Sequence, residues 1–226
     1  MILKQFFSAI SYIFHPLLMP LLGIYLLLMI PTLPVSLNPL DTLYLYPEMV
    51  KQYLFIVLGI LTLLAPVLSL FIMKRNRIIG DYYMIDRKQR FYPYILILFY
   101  YFLAYFFVRR QLPLDYQHPA LMGFLFGLFT VVLIAFVINF FTKISLHAVA
   151  IYGVCGALIG YSQTQISPVF SESPTNLYMI LYLLGVAAIV IGARAYLKAH
   201  NLLELFLGAL VGLGVCFVCV KFGIYL

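Results

Sequence analysis

Charge is what this sequence has least of: 9% of its 226 residues are Asp, Glu, Lys or Arg, and seven of those are acidic. Soluble domains carry about a quarter of their residues as charges, so a water-facing globule is excluded. Tryptophan is absent, and the three cysteines, Cys155, Cys216 and Cys219, each sit inside an apolar run. That placement suits small buried hydrophobes better than a disulfide or metal framework. The scarcity of carboxylates bears on chemistry too, because no Asp/Glu cluster is suited to holding magnesium.

What fills the chain instead is apolar: 65% of residues are hydrophobic, and the mean hydropathy is +1.07. A bilayer core needs about 20 apolar residues per helix. Polar punctuation divides the chain into runs near 6–32, 52–73, 92–108, 119–142, 146–163, 176–193 and 201–224. The fold class expected is an all-α integral membrane protein, a single domain over 1–226 with six or seven transmembrane helices and its motifs within 74–224. Six results if the first run, marked by Pro16 and Pro20, only dips into the membrane, or if two runs pack as half-helices. That first run is too long for a cleaved signal peptide and reads as a retained, kinked span. The segments 34–50 and 164–176 read as connectors. A net charge of +7 would suggest nucleic acid in a soluble protein, but here the bases cluster at the ends of apolar runs. The partners expected are membrane lipids and a phosphate-bearing ligand, not nucleic acid.

Alternation through seven spans places the N-terminus, the 74–91 segment, the Lys143–His147 junction and the Arg194–His200 junction on one side. His200 and Glu204 stand four apart, so on a helix the carboxylate reaches the imidazole and fixes its tautomer. An acid-oriented histidine is a candidate nucleophile or base. Arg194 lies six residues earlier and faces elsewhere on a continuous helix, unless a loop-to-helix junction near Lys198 breaks it. Gly208 and Gly212 continue the four-residue spacing, the mark of close helix packing. Ser145 fits a helix N-cap whose first-turn amides, helped by Lys143, form a seat for phosphate beside His147. Arg87 and Arg90 add fork-like donors for phosphate oxygens. Lys74, Arg75 and Arg77 read as topogenic charges. His15 lies inside an apolar run, where packing and function are both open; His118 reads as a solvated loop residue.

These residues resemble the motifs of the type 2 phosphatidic acid phosphatase superfamily of membrane lipid phosphatases: Lys-x6-Arg-Pro, Pro-Ser-Gly-His and Ser-Arg-x5-His-x3-Asp. Arg194-x5-His200-x3-Glu204 matches the third, Ser145-x-His147 part of the second, and Arg90 with Pro93 loosely the first. The chain departs where Tyr83 stands for the motif-one lysine, Ile144 and Leu146 for proline and glycine, Ala193 for serine and Glu204 for aspartate. It looks like a variant branch whose second motif is Lys-Ile-Ser-x-His. The resemblance implies a metal-independent hydrolase, without cofactor, acting on a lipid phosphate or diphosphate of polyprenyl or glycerolipid type. Arg194, Arg90, Lys143, Ser145 and Arg87 would hold the phosphate and His200 would attack it to form a phosphohistidine. Glu204 would orient His200, and His147 would serve as acid and then base.

Head-group phosphotransfer between lipids would use the same residues. A non-catalytic transporter or scaffold that kept the fold is the rival from another class. The expected setting is a bacterial inner membrane. Ten of the Lys/Arg residues fall on the motif side against four opposite, which puts the motifs in the cytoplasm by the positive-inside rule, whereas the resemblance implies an outward face in many relatives.

Overall fold

The computed structural model describes residues 2–32, 39–82, 84, 87–164 and 175–226. Seven helical stretches among them are long and apolar enough to cross a membrane, and no strand occurs among the described residues. The chain is therefore an all-helical membrane protein. Tyr83, Asp86 and most of the 164–176 connector lie outside the described residues, as does part of the 34–50 connector.

The first stretch is broken where its prolines dictate. Helix α1 (Ile2–Ile13) ends before His15, which is extended at φ −64° and ψ 137°, and a short turn (Pro16–Leu18) leads into α2 (Met19–Met29). A residue preceding proline is pushed out of the helical region by the ring, and proline itself is tolerated in a first turn. The stretch from His15 to Thr32 runs the length of a later helix, α7 (Leu146–Thr164). At one end the His15 and His147 rings lie 5.9 Å apart; at the other, Thr32 meets the Tyr161 hydroxyl at 3.3 Å. That leaves α1 at the His147 end of the bundle.

The second stretch is continuous but widened in the middle. Between α3 (Glu48–Leu58) and α4 (Ala65–Arg75) lies one π-helical segment, Gly59–Leu64. Pro66 supplies no amide to that turn and its ring crowds the carbonyl four residues back, a strain that a π turn relieves. Then come α5 (Phe91–Gln111), α6 (Pro119–Asn139), α8 (Thr175–Tyr196) and α9 (Leu202–Lys221). His118 is not a free loop residue: its Nδ1 accepts the Ala120 amide at 3.1 Å to cap α6, and its Nε2 faces the Asp41 carbonyl at 3.1 Å.

The core is built on α7 and α9, whose backbones meet through glycines. A Cβ placed on Gly212 would fall 2.9 Å from the Val149 carbonyl carbon, and one on Gly208 would fall 2.8 Å from the Ser145 oxygen. The expectation of close packing at Gly208 and Gly212 is thus met, and Gly156 on α7 makes the reciprocal approach to the Leu213 backbone. Lipid offers no hydrophobic drive between helices, so such backbone approach supplies the dispersion that holds them together. All three cysteines are buried thiols.

Candidate functional site

His200 stands in the five-residue junction between α8 and α9, and the junction explains its partners. Helix α8 closes with the Lys198 amide on the Ala195 carbonyl and the Ala199 amide on the Arg194 carbonyl, with Lys198 left-handed at φ 53°. That is a Schellman closure, normally given to glycine. The chain does break near Lys198, and Arg194 and His200 are brought to the same place. Their charges interact.

Helix α9 then begins on Asn201, whose Oδ1 accepts the Glu204 amide at 2.8 Å while its Nδ2 donates to Glu204 Oε1 at 3.2 Å. Glu204 is thereby a reciprocal cap residue with a fixed carboxylate. Its Oε2 lies 2.6 Å from Nδ1 of His200. The four-residue spacing was expected to work along a helix; it works instead across an N-cap, with His200 just outside the first turn. A carboxylate only accepts, so His200 Nδ1 carries the proton and Nε2 presents its lone pair. The side chains of His200 and Glu204 are 5% and 13% exposed. Burial holds the His200 pKa below its usual value, the Glu204 hydrogen bond opposes that, and the charges of Arg194 and Arg90 add to the lowering. His200 is therefore neutral at pH 7.

His147, second residue of α7, points Nε2 at the Ser11 carbonyl, 3.1 Å away. A carbonyl only accepts, so that nitrogen is protonated and Nδ1 is the one left for other chemistry. The charge of Arg194 acts on His15, His147 and His200 alike, and that of Arg90 on His200. Three histidines and two arginines, drawn from five elements, thus form one cluster.

The remaining expected residues are placed less uniformly. Ser145 caps α7 as expected, its Oγ accepting from the Ala148 amide at 3.5 Å. It is, however, fully buried, and its own amide donates to the Glu204 carbonyl at 3.3 Å. Its polar atoms tie α7 to α9. Arg87 spends Nη1 on the carbonyls of Phe140 and Phe141, at 3.0 and 2.7 Å, while Asn139 donates to the Arg87 carbonyl at 3.1 Å. A cation there complements the negative end of α6. Arg90 donates from Nε to the Met84 carbonyl at 2.9 Å. Lys143 is half-buried on the α6–α7 connector. Pro93 sits in the first turn of α5, where its missing amide costs nothing.

Among the described residues no group of three or more His, Cys, Asp or Glu gathers as metal ligands would. His15 is the site residue that the sequence left undecided. Its Nδ1 accepts the Leu17 amide at 3.3 Å, which turns the ring toward His147. The His-Pro pair that breaks the first span is the signal that marks it.

Fold and cluster together define a class: a helical membrane protein with a histidine–arginine cluster where several helix ends meet. No family model matches the chain, and no curated protein or solved structure matches it.

Proposed function

We propose that this protein is a membrane-embedded phosphatase that hydrolyses a lipid phosphate or diphosphate through a phosphohistidine. The observation that carries the reading is the 2.6 Å contact of His200 Nδ1 with Glu204, within reach of the charges of Arg194 and Arg90. A neutral imidazole held in the Nδ1–H tautomer is a nucleophile at Nε2. The resemblance to type 2 phosphatidic acid phosphatases supports the same assignment of roles.

In this mechanism Arg194 and the Nη pair of Arg90 bind the phosphate oxygens, with Lys143 adding charge nearby. His200 Nε2 attacks phosphorus; the P–N bond forms as the bond to the lipid oxygen breaks. His147, neutral with Nε2–H on Ser11, takes the proton of the monoanionic substrate phosphate at Nδ1 and passes it to the departing oxygen. It then takes a proton from water, whose oxygen attacks phosphorus, breaks the P–N bond and frees inorganic phosphate. Fixed cationic groups carry the developing charge. The apolar tail stays in lipid while the head group enters at the helix ends.

The test is phosphate release by purified protein, with a chelator present, from polyprenyl phosphate, polyprenyl diphosphate and glycerolipid phosphates. His200→Ala should lose about a thousandfold or more while remaining folded at the assay temperature. Substrate labelled in the phosphate should leave acid-labile label on the wild-type chain. A His200→Ala variant that still turns over would refute the assignment. Label transfer that requires a second lipid would convert it to a phosphotransferase.

A further inference from the structure

Helix α1 and the residue after it carry three different stripes. At about 100° per residue, Phe7, Ile10 and Phe14 fall on one, Ile2, Phe6, Ala9 and Ile13 on a second, and Lys4, Gln5, Ser8 and Tyr12 on a third. The first is the packed face: Ile10 belongs to the core, and Phe7 and Phe14 lie against it. The second is apolar yet bare, with Ile2, Phe6 and Ile13 82%, 55% and 63% exposed. On the polar third stripe Lys4, Gln5 and Tyr12 are exposed as well.

A spanning helix would set Lys4 and Gln5 in hydrocarbon, and 12 residues reach about 18 Å, short of a bilayer core of about 30 Å. A helix in water would leave the Ile2, Phe6 and Ile13 stripe wet. The boundary between the two media satisfies both bare faces, with acyl chains on one and head groups and water on the other.

The neighbours of α1 put it at that level. Phe7 packs on Tyr196, the last residue of α8, with ring centroids 4.7 Å apart. The Ser11 carbonyl meets Nε2 of His147, the second residue of α7, at 3.1 Å. Both partners are span ends on the side of the cluster, while the stretch from His15 to Thr32 alongside α7 already supplies the crossing. Ser11 lies in the last turn of α1, where carbonyls find no amide within the helix and form its negative end. His147 answers that carbonyl, so α1 keeps the imidazole proton on Nε2 and leaves Nδ1 for chemistry.

We propose that α1 lies in the plane of the membrane interface, its Ile2, Phe6 and Ile13 face among the acyl chains of the leaflet on the cluster side, and that this seat positions His147 through the Ser11 carbonyl. The placement stands without the phosphatase reading; its consequence for turnover rests on that reading.

One experiment reads the placement. The native cysteines are buried, so nitroxide labels are set singly on Lys4→Cys, Phe6→Cys, Ser8→Cys and Ala9→Cys, in vesicles of phosphatidylcholine and phosphatidylglycerol. Labels at 6 and 9 should relax with oxygen and be shielded from a water-soluble nickel chelate, and labels at 4 and 8 should do the reverse. Four labels that all favour oxygen would make α1 part of a span, and four that all favour nickel would make it a helix in water; either result overturns the proposal. A second experiment reads the coupling. In protein labelled with 15N-histidine, above the usual titration range of imidazole, the His147 signal, assigned by its loss in His147→Gln, should show the proton on Nε2 alone. Phe6→Asp, which sets a charge on the acyl-chain face, should unseat α1 and spread the proton over both ring nitrogens, whereas Phe6→Leu should keep the wild-type signal. Phosphate release should fall about tenfold or more in Phe6→Asp and hold within about twofold in Phe6→Leu. An unchanged His147 signal in Phe6→Asp would overturn the positioning role. If no lipid is hydrolysed by the wild type, the phosphatase reading fails, and the labels and the 15N signals still decide this one.

Discussion

Replacing Gly212 with alanine tests the packing on which the whole cluster depends. The added Cβ would lie 2.9 Å from the Val149 carbonyl carbon, where ordinary contact begins at 3.4 Å, so α7 and α9 must part by at least 0.5 Å. The obstacle is backbone and cannot rotate away. Overpacking of this kind costs about 1–3 kcal/mol, offset by up to about 1 kcal/mol from alanine's better helix propensity. Gly214→Ala shares that gain without the clash, so between the two variants the loss is about 1–3 kcal/mol, roughly 2–12 °C in melting temperature for a chain of this length. Gly214 is the control, because a Cβ there meets nothing within 4 Å; Gly214→Ala should melt at or above the wild-type temperature. The same separation reaches the site. Glu204, Gly208 and Gly212 share one face of α9, and the 3.3 Å bond from Ser145 N to the Glu204 carbonyl does not survive a 0.5 Å widening. His147 and Glu204 ride on the two helices, so phosphate release should fall by about tenfold to a hundredfold, as misplacement on the ångström scale does. The measurement is thermal unfolding in one detergent, followed by turnover at a temperature where all three proteins are folded. Equal melting temperatures for Gly212→Ala and Gly214→Ala would refute the reasoning.

Two further outcomes follow from the charges. Wild-type turnover should fall as pH drops through the His200 pKa, which lies below 6.5 because burial, Arg194 and Arg90 outweigh the Glu204 hydrogen bond; Glu204→Gln removes the opposing contribution, so the acid limb should move to lower pH while the maximal rate drops by about 10²–10⁴. A limb that stays in place or moves up contradicts the assigned pair. For Arg87→Gln the expected effect is on folding: loss of the bonds to Phe140 and Phe141 should cost about 1 kcal/mol and leave KM within about twofold. A tenfold rise in KM with an unchanged melting temperature would instead make Arg87 a phosphate ligand.

The spans were legible because lipid allows the backbone few choices. Every amide must be satisfied within the segment, so an apolar run of sufficient length is a helix, and the runs near 119–142 and 146–163 match α6 and α7 within a few residues. Breaks were legible where proline enforces them, as at Pro16, but the π segment ahead of Pro66 was not, since a proline in a first turn and one behind a π turn read alike. The Arg194, His200 and Glu204 grouping was visible because all three lie within eleven residues. Its geometry was less so: Lys198 takes a conformation that sequence assigns to glycine, and only that turn brings Arg194 beside His200.

Contacts between distant segments are where one-dimensional reading ends, and the cluster shows why. The Ser11 carbonyl fixes the His147 tautomer, yet a backbone acceptor has no residue signature, so nothing in positions 1–15 announces it. Tyr53 and Tyr94 are two of nineteen tyrosines, most at places where an interfacial ring would serve equally well; what marks these two among the described residues is a buried hydroxyl without a hydrogen-bond partner, a property of their surroundings. Arg87 shows the converse, because a cation near a phosphate motif and a cation closing a helix end have the same letter, and only the structure shows that its Nη1 lies within 3 Å of the Phe140 and Phe141 carbonyls. The residue types that sequence can nominate for chemistry are therefore the charged ones. Which of them touch the ligand is decided by packing among apolar residues that are interchangeable in composition, and for this chain that packing is set by the glycine contacts between α7 and α9.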